Sequence, residues 1–461
     1  MVIGQGGEEW RSFEQKLGEL NSTASRQAVA DAKENIEKIR KTDVELHLVD
    51  RNGEPLANTE IEVAQMRHHF PFGDNMWGLD TMYRFNEADT DKGRYWKLCF
   101  ADVLNAANAL CYWTERPRND GPKTEDIQGY PKLDGFHYCV DWAASQGLTV
   151  KGHPLFWSIQ KCVPEWVKRY DYETQLKFAE VRVRQLIAGV RGRVKIWDVV
   201  NEALWEPAFK NLPQRRWPHI ESTEDMVEYI APVIQWARDE DPDAIYVLND
   251  YGLTEDREHK GPDGVITSAM QRERMLDLVA GLDDAGACPS AIGLQSHTGG
   301  WVDHARQQAV YDQLSQPGLP LHITEFWART NVLEDTGLSE EDMQQAQADY
   351  VADFITTAFG HPSIEGFFFW GFMGSGIDWR GNSGHELTPM YHRVKKLLHE
   401  EWNTRQTLTT DEQGVVRFRG FYGDYSLRYA VNDHVQAGER FAVHSGQAPQ
   451  QRIIAKCLRA R

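Results

Sequence analysis

The sequence predicts an α/β protein: a (β/α)8 TIM barrel with a small accessory β-sandwich built from the strands at the two ends of the chain. Short apolar segments bounded by Gly or Pro alternate with helical patterns through the middle of the chain. Eight such units in about 330 residues are typical of a closed barrel with helices on its outside. A doubly wound open sheet is the competing architecture, but no GxGxxG motif follows any predicted strand.

The first 68 residues predict helices followed by two strands. Trp10, Phe13, Leu17 and Leu20 recur at helical spacing, and a polar helix follows over 28–39. The pattern then alternates over 44–50 and again over 59–63, with a turn near Gly53 between them. We expect a helical segment at 1–42 and then a two-stranded hairpin.

The barrel is expected from residue 69 to residue 402. Its predicted strands are Phe70–Met76, Phe100–Trp113, Thr149–Trp157, Arg193–Glu202, Ala244–Gly252, Ala291–Thr298, Leu319–Phe326 and Ile364–Phe372. Helical patterns between them cover Phe136–Ser145, Tyr172–Ala188, Thr223–Arg238, Ser268–Leu282, Val302–Leu314 and Glu340–Phe359. A last helix is expected near Met390–Trp402.

Strand patterns return after the barrel, over Thr407–Thr410, Val415–Gly420 and Asp424–Val431. Neither these strands nor the N-terminal pair could bury a core alone, because an isolated hairpin is marginally stable at best. We therefore expect residues 43–68 and 403–461 to form one discontinuous β-sandwich into which the barrel is inserted.

Charge and composition exclude several classes of partner. Fifty basic and 69 acidic residues give a net charge of −19, which disfavours nucleic acid and anionic lipid. No segment approaches the roughly 18 apolar residues of a membrane span. The six cysteines show no CxxC spacing, so no zinc site is expected, although one or two disulfides stay open. The oligomeric state is also open.

The first residues show no basic start and no apolar run of signal-peptide length. The protein is expected to be cytoplasmic, or secreted or periplasmic if a signal peptide has been removed.

Two glutamates close apolar barrel strands. Glu202 ends predicted strand four and Glu325 ends predicted strand seven. The carboxyl ends of barrel strands host catalysis, so the two side chains are expected to face each other across the mouth. Cleavage of a glycosidic bond needs one protonated and one ionised carboxyl group. A separation of about 5–5.5 Å gives a retaining mechanism, and about 6.5–9.5 Å gives inversion.

Neighbouring strand ends supply further polar and aromatic residues. Asn201 fits a donor to the sugar 2-hydroxyl, and burial beside Trp205 or Trp327 would keep the acid protonated. His297 is expected to hydrogen-bond Glu325 and keep it ionised, with Asp198 orienting His297. The other strand-end candidates are His153, Trp157, Tyr251, Gln295 and Trp370.

The segments GHPLFW, WDVVNEA, LNDYG, GLQSHT, LHITEF and the terminal WG occur in this order over about 300 residues. Together they resemble glycoside hydrolase family 10, the retaining endo-β-1,4-xylanases. The resemblance implies Glu202 as acid/base and Glu325 as nucleophile. It also implies that the sugar site is lined by Asn108, His153, Trp157, Gln160, Asn201, Gln295, His297, Trp370 and Trp379. The implied partner is a polysaccharide or oligosaccharide, with no cofactor and no metal.

Two positions depart from the family pattern. Family members usually carry a Lys three residues after the Asn that corresponds to Asn108, and a His after the Trp that corresponds to Trp157. This chain has Cys111 and Ser158 there. Because the missing residues normally contact glycone sugars, altered glycone subsites are expected, and Cys111→Lys is expected to restore preference for xylo-oligosaccharides. β-Glucans, decorated xylans and short oligosaccharides stay open as substrates.

The flanking strands resemble the carboxypeptidase-regulatory-like β-sandwich, split into two halves around the barrel. VELHLVDRNGEPLANTEIEV precedes the barrel, and TDEQGVVRFRGFYGDYSL follows it. Packing against the barrel is its expected role.

Two other functions compete with a glycoside hydrolase. One is a carbohydrate-binding barrel without turnover, which would have no use for two facing carboxyl groups. The other is a metal hydrolase that uses His68 and His69, but adjacent residues point to opposite sides of a strand and no HExxH motif is present.

Overall fold

The chain forms a closed barrel of eight parallel strands, flanked by two small sheets. The computed structural model describes residues 18–50, 52–114, 122–126, 128–206, 208–211, 220–261, 264–298, 301–379, 385–432, 435–445 and 450–456. Ahead of the barrel lie helix α1 (Thr23–Ile39) and strands β1 (Lys41–Val49) and β2 (Glu60–His68). The predicted helix before residue 18 lies outside the described residues.

The barrel confirms the predicted fold class. Its region contains β3 (Phe72–Asn75), β4 (Ala106–Leu110), β5 (Thr149–His153), β6 (Phe156–Trp157), β7 (Val194–Asn201), β8 (Ile245–Asp250), β9 (Glu258–Gly261), β10 (Gly264–Thr267), β11 (Ala291–Leu294), β12 (Leu321–Phe326) and β13 (Ile364–Phe369). Parallel pairing runs β3–β4–β5–β7–β8–β11–β12–β13, and β13 pairs with β3 to close the ring. Strand β6 lies along β7, while β9 and β10 form a hairpin after β8.

Helices cover the outside of the barrel. They are α2 (Trp77–Arg84), α3 (Asp91–Val103), α4 (Asp134–Ser145), α5 (Tyr172–Val190), α6 (Thr223–Glu240), α7 (Ser268–Asp284), α8 (His304–Leu314), α9 (Glu340–Phe359), α10 (Phe372–Gly376) and α11 (Pro389–Lys396). Short 3-10 turns lie at Val167–Arg169, Phe209–Asn211 and Thr330–Thr336, and a π-helical turn at Leu397–Glu401 follows α11. Several helices begin at a Ser, Thr or Asp whose side chain accepts a backbone N–H of the first turn, as Asp171, Ser222 and Ser339 do. Among the described residues, no helix is both long enough and apolar enough to cross a lipid bilayer.

The second predicted strand was placed too early. Residues from Phe100 to Val103 end helix α3, and β4 begins only at Ala106. Trp96, Phe100 and Val103 are all buried and follow helical spacing, so this apolar run is the inner face of a helix. Neither α2 nor α3 was predicted.

A buried apolar cluster fills the lower barrel interior and positions the site above it. It consists of Ala106, Ile196, Val247, Ala291 and Phe368. Residues two apart on a strand point to the same face of the sheet. Because Ile196 on β7 points into the barrel interior, Asp198 points into it as well. On β7 an apolar side chain therefore lies toward the bottom of the barrel and a polar one nearer its mouth.

The end strands form two facing sheets. After a small β14–β15 pair (Ile377–Trp379 and His385–Leu387) come β16 (Arg405–Thr409), β17 (Val415–Phe421), β18 (Gly423–Asn432), β19 (Val435–Val443) and β20 (Gln450–Lys456). One sheet has the order β17–β1–β20 and the other β16–β2–β18–β19. Apolar residues from both sheets, including Leu46, Val63, Phe418 and Leu427, share one buried cluster. The proposed domain boundaries and the likeness to a regulatory sandwich stay predictions.

The expectation that β1 and β2 pair as a hairpin is wrong. Strand β1 pairs with β17 and β20, and β2 pairs with β16 and β18. The alternating apolar positions of β1 and β2 are buried on facing sheets, so both strands cover the same core from opposite sides. The strands β19 and β20 were not predicted.

Arg40 links the N-terminal segment to the barrel. Its guanidinium donates to the carbonyl groups of Phe359 (2.7 Å), His361 (2.8 Å) and Ile364 (2.6 Å), and it stacks on the ring of Phe70 at 4.9 Å. Burial lowers its pKa to about 10. These charge-assisted hydrogen bonds fix the end of α1 against the base of β13.

Candidate active site

Glu202 lies immediately after β7 in a strained backbone conformation. Its φ of 59° is in the left-handed region, which non-glycine residues rarely adopt. The Glu202 backbone N–H donates to the carbonyl group of Asn249 at 2.8 Å, and its own carbonyl accepts from Glu206 N–H at 3.0 Å. Such strain persists only where surrounding contacts enforce it, and it is concentrated at functional sites.

Glu325 lies on β12 and is 3% exposed. Asn249 Nδ2 donates to Glu325 Oε1 at 2.8 Å, and His297 Nε2 donates to Oε2 at 3.0 Å. His153 Nδ1 lies 3.7 Å from Oε1. Both oxygens of the carboxylate thus have donors, which is the environment of an ionised group.

A chain of side-chain amides joins the two glutamates. Gln295 Nε2 donates to Glu202 Oε1 at 3.0 Å and to Asn201 Oδ1 at 3.4 Å. Asn249 Nδ2 donates to Asn201 Oδ1 at 2.8 Å as well as to Glu325. Glu202 and Glu325 therefore belong to one continuous network across the mouth of the barrel.

The two glutamates differ in the direction of their pKa shifts. Burial raises the pKa of Glu202, the hydrogen bond from Gln295 opposes this, and the charge of Glu325 raises it further. Burial alone would raise the pKa of Glu325, but the charge of His153 and the hydrogen bond from His297 lower it to about 2. One carboxyl group is thus held toward its protonated form beside another that is held ionised.

The structure contradicts the expectation that Asp198 orients His297. Asp198 Oδ2 lies 2.6 Å from Lys151 Nζ and accepts from His153 Nδ1 at 2.7 Å. Asp198 is on β7, which neighbours the β5 strand that carries Lys151 and His153, whereas His297 follows β11 beyond β8. Asp198 instead orients His153, and Lys151, a buried cation that the sequence analysis missed, neutralises it.

Aromatic rings line one side of the site. His153 lies 5.1 Å from Trp370 and 5.9 Å from Tyr112 between ring centroids, and Tyr112 lies 5.7 Å from Trp157 and 6.0 Å from Trp77. Burial, with the nearby charge of Glu325, raises the pKa of Tyr112 well above its usual value. Tyr112 and Trp77 were not among the predicted site residues, and only their place at strand ends could have indicated them.

The remaining predicted residues are spread more widely. Asn108 is fully buried, and within the described part of the chain neither Nδ2 nor Oδ1 of its amide has a hydrogen-bond partner. Tyr251 stacks on Trp205 at 5.2 Å beyond the end of β8. Gln160 is exposed in the loop after β6. The side chain of Trp379 lies outside the described residues.

The two departures from the family pattern face the protein interior. Cys111 is fully buried, and its thiol donates to the carbonyl group of Pro154 at 3.4 Å. Ser158 is also fully buried, beside the hydroxyl of Tyr229. A lysine at position 111 would bury its ammonium in this position, so the predicted gain of sugar contact from Cys111→Lys does not follow from the structure.

The spacing of three site residues would suit a metal ion. One ligand atom each from His153, Asp198 and Glu325 lie within 4.8 Å of one another. The Lys151 ammonium at 2.6 Å from Asp198 already supplies a positive charge to this group. His68 and His69 do not form a metal site together, because His68 is buried among aromatic rings while His69 is exposed beside Asp424.

Known proteins are similar to this chain in sequence. The model of the glycosyl hydrolase family 10 matches residues 122–394. Anti-sigma-I factor RsgI6 of Acetivibrio thermocellus is 29% identical over 88% of this chain and 47% of its own length. Endo-1,4-beta-xylanase 1 of Arabidopsis thaliana is 24% identical over 91% of this chain and 39% of its own length. The chain thus spans less than half the length of these two curated relatives.

A solved structure shows the same barrel. Native xylanase 10B from Thermotoga maritima superimposes with a TM-score of 0.52 and 21% sequence identity. The match covers 72% of this chain and 95% of that chain. More than a quarter of this chain is left unmatched. The chain also contains helices and strands outside the barrel.

Proposed function

Because the chain belongs to glycosyl hydrolase family 10, we propose that it is a retaining glycoside hydrolase that cleaves β-1,4-linked xylan-type chains. One observation carries the proposal. Two carboxyl groups in a single hydrogen-bond network have pKa values displaced in opposite directions, as a proton donor and a nucleophile require.

In the first step, ionised Glu325 attacks the anomeric carbon while protonated Glu202 donates its proton to the leaving glycosidic oxygen. The bond to the leaving sugar breaks, and an ester bond forms between Glu325 and the remaining sugar. Glu325 loses its negative charge in the ester. The charge that raised the pKa of Glu202 disappears with it, so this pKa falls and Glu202 can be ionised, as the general base of the next step must be.

In the second step, Glu202 accepts a proton from water as the water oxygen attacks the anomeric carbon. The ester bond breaks, Glu325 returns as a carboxylate, and the sugar is released with its original configuration. Donors from His297 and Asn249 stabilise the departing carboxylate.

The surrounding residues position the sugar. Asn201 Oδ1 accepts from Asn249 and Gln295, which orients the amide so that its Nδ2 group can donate to a sugar hydroxyl. The amide of Asn108, which has no hydrogen-bond partner among the described residues, is a second candidate for a sugar contact once a ligand is bound. Aromatic faces such as Trp157 and Trp370 suit the C–H faces of sugar rings.

The substrate class is supported by the named relatives. Proteins similar to this chain include several endo-1,4-beta-xylanases, and one structural neighbour was solved in complex with xylobiose. β-Glucans and decorated xylans stay as alternative substrates.

The test compares the two glutamates on substrates with different leaving groups. Glu202→Ala is expected to slow xylan hydrolysis by about 10²–10⁴-fold and dinitrophenyl xylobioside much less, because that leaving group needs no proton. Glu325→Ala is expected to lose activity on both. Glu173→Gln, at an exposed helical position, is the matched control. Parental rates in Glu325→Ala would refute the proposal.

A second candidate is a polysaccharide-binding barrel without turnover. It is favoured by the name of one relative, an anti-sigma-I factor, which does not mention a hydrolytic activity. In that case the parent would bind xylo-oligosaccharides without releasing products, and Glu325→Ala would bind as the parent does.

A further inference from the structure

Lys161 places a positive charge at the edge of the candidate active site. Its Nζ lies 4.7 Å from the ring centroid of Trp157, one of the rings that line the site. The side chain is half-buried, and its charge acts to lower the pKa of Glu202. Lys161 is therefore close enough to the acid/base to influence it, on the side of β5 and β6.

The surroundings of Lys161 differ from those of neighbouring lysines. Lys168, in the same loop, lies 2.6 Å from a carboxylate oxygen of Glu165, and Lys151 is paired with Asp198. Among the residues that the structure describes, no carboxylate oxygen lies within 4 Å of the Lys161 ammonium. In a chain with 19 more acidic than basic residues, this cation has an aromatic ring as its partner instead.

A cation on an aromatic face keeps part of its hydrogen-bonding capacity for a further partner. A cation–π contact stabilises the charge, yet the three N–H donors of the ammonium are not used by the ring. A ligand carboxylate could therefore bind without displacing an existing ion pair.

We propose that Lys161 binds the carboxylate of an acidic sugar substituent, so that the site prefers xylan-type chains carrying uronic acid side groups. This inference rests on the proposed function and names its substrate class more narrowly. Arg329 offers a matched comparison, because its guanidinium lies 3.9 Å from the Trp327 ring after β12, on the opposite side of the barrel.

The experiment measures kcat/KM for xylo-oligosaccharides of equal length with and without one uronic acid side group. For Lys161→Gln, the ratio of the acidic to the neutral substrate is expected to fall about tenfold, a typical value for one charge-assisted contact. Lys161→Arg should keep most of the preference, and Arg329→Gln should keep the parental ratio. Raising the salt concentration should lower the parental ratio, because the contact is partly exposed.

An unchanged ratio in Lys161→Gln would overturn the inference, as would a loss of preference in Arg329→Gln instead. Those results leave the proposed hydrolase intact as long as the parent cleaves the neutral substrate. If the parent cleaves neither substrate, the proposed function fails. In that case the affinities of the parent and Lys161→Gln for the two oligosaccharides are measured by calorimetry. The ratio of the acidic to the neutral affinity then tests whether Lys161 binds the carboxylate: it should fall in Lys161→Gln, and an unchanged ratio would overturn the inference.

Discussion

Removing His297 should move the acid limb of the pH–activity profile. His297 Nε2 donates to Glu325 Oε2 at 3.0 Å, and its hydrogen bond and charge both lower the pKa of this carboxyl group. In the parent the pKa of Glu325 is about 2 against an ordinary 4.5. Activity that requires ionised Glu325 should therefore persist to low pH and fall only as the pH approaches 2.

The expected shift of the acid limb follows from how much each neighbouring residue lowers the pKa of Glu325. Lowering the pKa from 4.5 to about 2 corresponds to about 3 kcal/mol in favour of the ionised form, at about 1.4 kcal/mol for each pKa unit. His153, His297 and Lys151 share this stabilisation and also offset the cost of burial. His297→Asn should therefore remove about 1–1.5 kcal/mol of the stabilisation of ionised Glu325. The pKa of Glu325, and with it the acid limb, should rise by about one pH unit.

The assay is kcat/KM on an aryl β-xylobioside between pH 2.5 and 8, for the parent and His297→Asn. His69→Asn is the control, because His69 is exposed on the accessory sheets and has no contact with either glutamate in the described structure. Profiles of the parent and His297→Asn that coincide down to pH 2.5 would refute the role given to His297.

Three further results are expected. Glu202→Gln should raise Tm at pH 8, because burial and the charge of Glu325 make ionised Glu202 costly in the folded state; the gain should vanish below about pH 4.5, where the group is neutral in both states, and equal Tm values at pH 8 would contradict this. Arg40→Met should lower the free energy of unfolding by about 3 kcal/mol in urea titrations, since buried carbonyl groups lose their donors; a loss under about 1 kcal/mol would contradict this. A chelator should leave activity unchanged, because Lys151 already neutralises the cluster around Asp198, and activity restored only by a metal ion would contradict this.

The sequence could predict the barrel because strand and helix patterns in this region differ in period. The predicted strands Ala291–Thr298 and Leu319–Phe326 contain the observed strands Ala291–Leu294 and Leu321–Phe326, and the helix at Glu340–Phe359 agrees at both ends. The pattern failed where an apolar run is the inner face of a helix, as at Phe100. It also failed to show that β1 and β2 lie in different sheets, because alternation gives the buried face of a strand but not its partner.

For the site, the position of a residue at a strand end indicated that it belongs to the site. Its hydrogen-bond partners could not be predicted from the sequence. Glu202, Glu325 and His297 could be brought together from their strands alone. Asp198 could not be assigned to His153 without knowing which strands are neighbours in the ring. Asn249 and Lys151 were missed because an amide or a lysine inside a strand has no sequence signal that separates a network member from a solvated residue.

The role of Glu325 is tested most directly by trapping its bond to sugar. A 2-deoxy-2-fluoro-xylobioside with a good leaving group slows the second step, so the first product should accumulate on the enzyme. Mass spectrometry of the digested protein should find one added glycosyl group on the peptide that contains Leu321–Phe326, at Glu325. Loss of the leaving group without any adduct, or an adduct on another carboxylate, would contradict the proposed nucleophile.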